Sequence, residues 1–134
     1  MRQHMKDYIE FGHSGAARGV RLLAEYSKAT EAFGELTGQP LVTIFGSARL
    51  GDGTPAGAAA EELARRCVRA GYGVVTGGSA GVMFTANRGA YEEAQKLGVS
   101  VERHSVGCAI TLPFEEGGNR FLGTQTDFHY FFIR

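Results

Sequence analysis

Two glycine-rich turns are the part of this sequence whose residue types and spacing could do chemistry. "FGSAR" contains Gly46 and Ser47, and "TGGSAG" contains Gly77, Gly78 and Gly81. Glycine lets the backbone approach a ligand closely, and a helix that follows such a turn offers unpaired N–H groups and the positive end of its dipole to an anion. The two turns therefore predict a site for a phosphate group or a nucleotide.

Three other interpretations of these turns stay open at this point. The glycines could serve only to make tight turns and to let a helix pack closely on a sheet. A dinucleotide fingerprint would need glycine at Thr76, and although Glu102 lies at a suitable distance for a ribose hydroxyl, the turn follows the second strand rather than the first. A Walker-type phosphate loop is disfavoured because no Lys-Ser or Lys-Thr pair follows the glycines.

The segments that must position these turns alternate between strand and helix patterns. "LVTIFG" (Leu41 to Gly46), "YGVVT" and "SVGCAITL" (Ser105 to Leu112) are short apolar, β-branched runs that predict strands. Because the first run is rich in apolar and β-branched residues and is bounded by Pro and Gly, we expect that strand to be buried on both faces and central in a parallel sheet. Both glycine turns would then lie at carboxyl ends of adjacent strands, where open α/β sheets bind ligands.

Three helices are predicted between and before the strands. Apolar residues at steps of three and four predict the first from Gly15 to about Leu36. Thr54 and Pro55 form an N-cap and first-turn pair for the second, which Gly71 ends. The third runs from Met83 to Leu97 and is ended by Gly98. Helices alternating with strands at these lengths imply right-handed crossovers and a Rossmann-like α/β sheet.

An aromatic run near the end of the sequence predicts a further helix. Thr124 and Asp127 could cap it, and Phe128, Phe131 and Phe132 would share one of its faces. We expect this run to pack in the core or at an interface between subunits.

The composition limits the domain count and the class of partner. The 134 residues are 43% hydrophobic, which suffices for one small domain or part of one, and 14 basic residues balance 14 acidic ones. No charge block for nucleic acid, no membrane-spanning apolar run and no signal peptide is visible, so a cytoplasmic protein with a small-molecule partner is expected. Cys67 and Cys108 are predicted to be buried free thiols, and His104 and His129 lack the spacing of metal ligands.

Four ordered motifs resemble one known family. "VTIFGSAR", "VVTGGSAGVMFTANRGA", "SVGCAITLPFEE" and "FHYFFIR" occur in the order and spacing of the LOG family, the cytokinin-activating phosphoribohydrolases. The resemblance covers Leu41 to Arg134, a Rossmann-like nucleotide-binding domain, and Met1 to Pro40 resembles the helical extension of longer members. It implies a homodimer, or a larger assembly, that hydrolyses the N-glycosidic bond of nucleoside 5′-monophosphates such as AMP, without a metal or redox cofactor.

The resemblance also implies roles for individual residues. Gly46 and Ser47 match a loop that lies against the nucleotide. A second loop is matched by Gly77, Gly78, Gly81 and Met83, and its methionine flanks the base. Glu115 is a looser match to an acidic residue near the substrate, and Arg134 matches a catalytic arginine.

The sequence departs from the family pattern in two respects. Ser79, Ala80 and Phe84 stand where the family commonly has Gly, Pro and Glu. The family motif PGGxGTxxE, a phosphate loop with the catalytic glutamate, does not occur in these residues, so the sheet is expected to be truncated and the site to be half complete. A non-catalytic carrier of a nucleotide or a molybdenum cofactor, or an interaction module without a site, remain as alternatives.

Overall fold

A four-stranded parallel sheet is the centre of the computed structural model, which describes residues 14–111 and 117–129. The strands are β1 (Leu41–Thr43), β2 (Gly73–Thr76), β3 (Ser105–Ile110) and β4 (Thr124–Phe128), and they lie in that order across the sheet. All three neighbouring pairs are parallel. The carboxyl ends of all four strands therefore lie at the same end of the sheet.

Helices flank this sheet. They are α1 (Gly15–Gly34), α2 (Pro55–Arg69), α3 (Val82–Leu97) and the short α4 (Val101–His104). The predicted α/β architecture, a Rossmann-like parallel sheet with flanking helices, is confirmed. Within the described ranges, no helix is both long enough and apolar enough to cross a bilayer.

The helix boundaries follow the local signals of the sequence. The Thr54 hydroxyl accepts a 3.1 Å hydrogen bond from the Gly57 N–H, with Pro55 in the first turn of α2. At the other end of α3, Gly98 adopts the left-handed conformation with φ 69°, which ends the helix without a Cβ penalty. The predicted start of α2 and end of α3 are therefore confirmed.

The two faces of the sheet have different partners. On one face, α2 and α3 pack through small and β-branched side chains, among them Ala64, Val74 and Ala86, each fully buried. On the other face, Leu36, just after α1, packs against Val75 and Val106. Alanines on both helices let α2 and α3 approach closely over the first face.

Ion pairs join α2 to α3 at the rim of their interface. Arg65 contacts Glu61 at 2.5 Å on its own helix and Glu92 at 2.7 Å on α3, while Arg69 contacts Glu93 at 2.8 Å. Because the Glu93 side chain is only 3% exposed, its charge depends on this arginine for a partner.

Helix α1 is attached to the rest of the molecule at its middle and just beyond its C-terminal end. Arg103 of α4 donates to the Glu35 carbonyl oxygen at 2.8 Å and to the Gln39 side chain at 3.0 Å. His129, just after β4, donates its backbone N–H to Glu25 at 2.9 Å. Helix α1 therefore lies over one face of the sheet as a separate layer. The boundary of the N-terminal extension at residue 40 stays a prediction.

The prediction of a central, doubly buried first strand is wrong for the described sheet. β1 lies at its edge and ends at Thr43, although the Ile44 N–H still donates to Val75 O at 2.9 Å. Burial alternates along the run: Ile44 is buried and Phe45 is 83% exposed. The sequence did not show this alternation, because every residue of the run except Thr43 is apolar.

The prediction of a helix capped by Thr124 and Asp127 is also wrong, because residues 124–128 form β4. Thr126 and Phe128 are buried and alternate with Gln125 and Asp127, which is the period of a strand. The Thr124 hydroxyl donates to Glu102 O at 2.9 Å rather than capping a helix. Pairing with β3 therefore outweighed the local capping pattern. Phe131 and Phe132 lie outside the described residues.

Candidate functional site

The two glycine turns are in direct contact. The Val82 N–H, at the start of α3, donates a 3.0 Å hydrogen bond to Ser47 O in the first turn. Gly81 has φ 66°, and a Cβ there would meet Ser47 O and come within 2.5 Å of the Ala48 carbonyl carbon. A side chain at Gly81 would therefore push the turns apart, and the predicted placement of both turns at the same edge of the sheet is confirmed.

The second turn bends tightly after β2. Gly78 has φ 72°, and its N–H donates a 2.9 Å hydrogen bond to the Thr76 hydroxyl. A Cβ at Gly78 would lie 3.3 Å from Leu122 Cδ1 and 3.5 Å from Ala109 Cβ. The positive φ therefore favours glycine at this position, and an added Cβ would also be close to Leu122.

The start of α3 faces this turn without a side-chain cap. Gly81 is the N-cap residue and has no side chain that could accept from the first-turn N–H groups. Such N–H groups, together with the helix dipole, favour an anion at this end. The arrangement can receive a phosphate or a carboxylate.

A cavity of about 1200 Å³ opens beside the turns. Gly46, Gly77, Gly78 and Met83 line it, and α1 forms its opposite wall. Its volume exceeds the range of about 300–1,000 Å³ that is usual for small-molecule sites, so a nucleotide would fit. Ser47 instead lines a smaller neighbouring groove with Val82.

The structure thus brings most of the predicted site residues together. Gly46, Gly77, Gly78 and Met83 share the cavity, while Ser47 and Gly81 form the contact between the turns. Two predicted residues, Glu115 and Arg134, lie outside the described residues.

One carboxylate was missed by the sequence reasoning. Among the described residues that line the cavity, Asp127 is the only acidic one. It lies at the carboxyl end of β4, opposite Ala109 of β3, and accepts a 2.6 Å hydrogen bond from Gln125. The alternation of Thr124, Thr126 and Phe128, which are residue types common in strands, with Gln125 and Asp127 was the signal that could have placed it on a strand lining the site.

A buried polar network behind the turn was also missed. Asn87 of α3 is fully buried, and its Oδ1 accepts a 2.6 Å hydrogen bond from Thr76. Its Nδ2 donates to the Ser105 hydroxyl at 3.0 Å, and that hydroxyl donates to Phe121 O at 2.7 Å. An asparagine on the alanine-rich face of a helix is the only sequence sign of this network.

Phe84, one of the departures from the family pattern, packs outside the cavity. Its ring meets the Phe121 ring edge-on with centroids 5.2 Å apart. The guanidinium groups of Arg88 and Arg120 lie 5.5 and 5.9 Å from the Phe84 centroid. Arg88 is itself paired with Asp52 at 2.6 Å, and this hydrogen bond, followed by those to Glu61, raises the pKa of Arg88. The cluster thus connects the first turn of α3 to Phe121 and, through Arg88, to Asp52.

Metal and disulfide chemistry have no visible basis in residues 14–111 and 117–129. No group of three or more His, Cys, Asp or Glu side chains in these ranges could hold a metal ion. Cys67 and Cys108 are half-buried and form no disulfide, so the prediction of unlinked cysteines is confirmed and that of full burial is not.

No family model and no curated protein matches this chain. Solved structures do match, among them the X-ray structure of TM1055, a structural-genomics target that is 26% identical to this chain. The match covers 66% of this chain and 45% of that chain, with a TM-score of 0.42.

Proposed function

We propose that this chain carries the nucleotide-binding part of a LOG-type phosphoribohydrolase. The reaction is hydrolysis of the N-glycosidic bond of AMP or an N6-modified AMP, giving the free base and ribose 5-phosphate. The observation that carries the proposal is the contact between the two glycine turns beside one large cavity. The order and spacing of the four sequence motifs support it independently.

We expect the phosphate and the base of the substrate to contact different parts of this arrangement. The uncapped start of α3 and the turn before it suit an anionic group. Met83 lines the cavity, and its flexible thioether can pack against a purine. The apolar wall formed by α1 leaves room for a substituent on the base.

The chemical step needs more than these residues. Water adds to the ribose C1′ as the bond to the base nitrogen breaks, and the base leaves with a proton. Positive charge builds on the sugar ring, so a carboxylate near C1′ lowers the barrier. The family's PGGxGTxxE glutamate is not among these residues, and we therefore expect the chain alone to bind AMP but to release little adenine.

Nucleotide titration tests the binding part of the proposal. ¹⁵N-labelled chain is titrated with AMP, adenosine and ribose 5-phosphate, and the amide signals of Gly46 and Gly77 to Met83 are followed. We expect AMP to shift these signals at millimolar concentration or below and adenosine to bind more weakly, because it lacks the phosphate. A folded chain whose signals do not move with AMP would contradict the proposal.

Product analysis tests the reaction. A protein that joins this chain to a PGGxGTxxE segment should release adenine from AMP, and the 134-residue chain should not. If the short chain released adenine at a comparable rate, Asp127 would become the first carboxylate to replace, because it already lines the cavity.

A non-catalytic carrier of a nucleotide or a molybdenum cofactor is the second candidate. It would use the same contact between the two glycine turns beside the cavity. Binding of AMP without release of base, in a protein that does contain the motif, would select this candidate. A homodimeric assembly and a cytoplasmic location stay predictions under both candidates.

A further inference from the structure

Asn119 connects a distant loop to the glycine turn. Its Nδ2 lies 3.2 Å from Gly78 O and 3.2 Å from Ser79 O, and its backbone N–H donates to Gly78 O at 2.7 Å. We propose that Asn119 is a positioning residue that holds this turn in the conformation that receives the anionic group of the ligand. The inference rests on the proposed nucleotide site and names a residue that determines its geometry.

The orientation of two peptide groups follows from these contacts. In a trans peptide the C=O and the next N–H point in opposite directions. With Gly78 O and Ser79 O both directed at Asn119, the N–H groups of Ser79 and Ala80 point away from it. In residues 14–111 and 117–129, no backbone hydrogen bond outside the helices and strands uses either N–H. Successive free N–H groups of this kind form an anion-binding concavity.

Asn119 is itself held in a single orientation. Its Oδ1 accepts from the Phe121 N–H at 3.1 Å, and its Nδ2 also lies 3.0 Å from Asn87 Oδ1. Asn87 in turn accepts from Thr76, whose hydroxyl accepts from the Gly78 N–H. The hydrogen bonds therefore form a ring that runs from the turn through Thr76, Asn87 and Asn119 back to the turn.

This ring explains a polar cluster that packing alone would not require. Thr76 and Asn87 are 2% and 0% exposed, and buried polar groups are tolerated only when they are hydrogen-bonded. Every hydrogen bond of the ring fixes either the turn or a residue that contacts it. The cluster therefore favours one turn conformation over others of similar compactness.

The test replaces the donor of Asn119 without changing its size. Asn119→Asp still accepts from the Phe121 N–H but presents oxygen to three oxygen atoms, and Asn119→Ala removes the side-chain contacts without repulsion. Gln95→Glu, the same chemical change at an exposed position of α3, is the matched control. Ala64→Gly, which lowers stability away from the turn, controls for stability alone.

Two measurements are made on each variant: exchange of the Gly78 amide with deuterium in ligand-free protein, and AMP affinity from the titration above. We expect Asn119→Asp to speed exchange and to weaken AMP binding tenfold or more, with a smaller effect of Asn119→Ala. Both controls should bind AMP as the wild type does. Unchanged Gly78 exchange in both Asn119 variants would overturn the inference, whether or not AMP binds. If AMP binds the wild type, wild-type affinity in both Asn119 variants would also overturn it. Faster Gly78 exchange in a chain that binds no AMP would uphold the positioning role and contradict the proposed function instead.

Discussion

The Val82 N–H donates to the Ser47 carbonyl oxygen across 3.0 Å, and so joins the first residue of α3 to the turn after β1. This bond uses one of the N–H groups that a helix start leaves unpaired. It also fixes the distance between the two turns, because each is now attached to the other as well as to its own strand. The shape of the candidate site therefore depends on the contact at Gly81 and on the network below it.

Gly81→Ala should open this contact and destabilise the protein. The added Cβ would meet Ser47 O in a backbone conformation that suits only glycine, and we expect the free energy of unfolding to fall by about 2 kcal/mol or more. Gly19→Ala is the matched control. Gly19 lies within α1, and an added Cβ at this position would have no atom within 4 Å. That change should stabilise the protein by about 1 kcal/mol. Urea denaturation measures both, and equal effects would contradict the prediction.

Thr76→Val should cost stability although it preserves shape. It removes the hydroxyl that accepts from the Gly78 N–H and donates to Asn87, which leaves the buried Gly78 N–H without its acceptor. The expected loss is about 1–3 kcal/mol. Thr76→Ser keeps the hydroxyl and should lose less. If thermal denaturation ranked serine below valine, the methyl group rather than the hydrogen bonds would be the important part of Thr76.

Acid should weaken the α2–α3 interface. Burial by itself would raise the pKa of Glu61, but hydrogen bonds from Arg88 and Arg65 outweigh it and hold that pKa below its usual 4.5. A hydrogen bond from Arg69 likewise lowers the pKa of Glu93. Because these folded-state pKa values lie below the unfolded ones, their contribution is complete above pH 4.5 and is lost as pH falls through the lower values.

Urea midpoints measured between neutral pH and pH 3 check this prediction. Glu61→Gln should reduce the loss of stability between neutral and acid pH. The glutamine side chain does not become protonated, so Arg65 and Arg88 lose no charged partner at this position as the pH falls. The same change at exposed Glu31 of α1 serves as the control and should leave the pH dependence as it is in the wild type. An identical acid slope in the wild type and in Glu61→Gln would show that other carboxylates are responsible.

Met83→Ala separates binding of the base from binding of the phosphate. If the proposed function holds, loss of the thioether from the cavity wall should weaken AMP binding several-fold, corresponding to about 1 kcal/mol, and leave ribose 5-phosphate binding nearly unchanged. Leu97→Ala, at a half-exposed position at the far end of α3, is the control. Equal weakening of both ligands would place Met83 near the phosphate instead of the base.

Self-association is expected from the apolar face of α1. Val20, Leu23 and Tyr26 are 62%, 65% and 61% exposed on this helix. Such a patch favours association of subunits. Light scattering at roughly tens of micromolar protein should show a dimer or a larger species. Leu23→Glu should shift the equilibrium toward the monomer. A wild-type monomer at this concentration would contradict the prediction.

Local signals in the sequence predicted the parts of the fold that local chemistry determines. Thr54, Pro55 and Gly98 set helix ends through their own backbone and side-chain geometry, and these boundaries agree with the structure. The position of β1 at the edge and the strand state of residues 124–128 depend on which strands pair, and no short segment contains that information.

The residues of the candidate site also fall into those that the sequence predicted and those that it did not. The glycines at 46, 77, 78 and 81 were found from the sequence because tight turns and close approach need that residue type. Asn119 was not found, because it meets the turn from 41 positions away along the chain. Asp127 was assigned to a helix cap, since its place on the cavity wall appears only when β4 pairs with β3.

The order of the strands has a consequence for how the chain folds. Each strand pairs with the next one along the sequence, so no strand must wait for a distant segment before it finds a neighbour. Residues 41–76 contain β1, α2 and β2, and α3 can then add β3 to that unit. Because each strand needs only the preceding strand as a partner, the sheet can grow in one direction as the polypeptide leaves the ribosome. We expect pulse-labelled amides of β2 to gain protection no later than those of β4, and earlier protection of β4 would show that growth begins at the other edge.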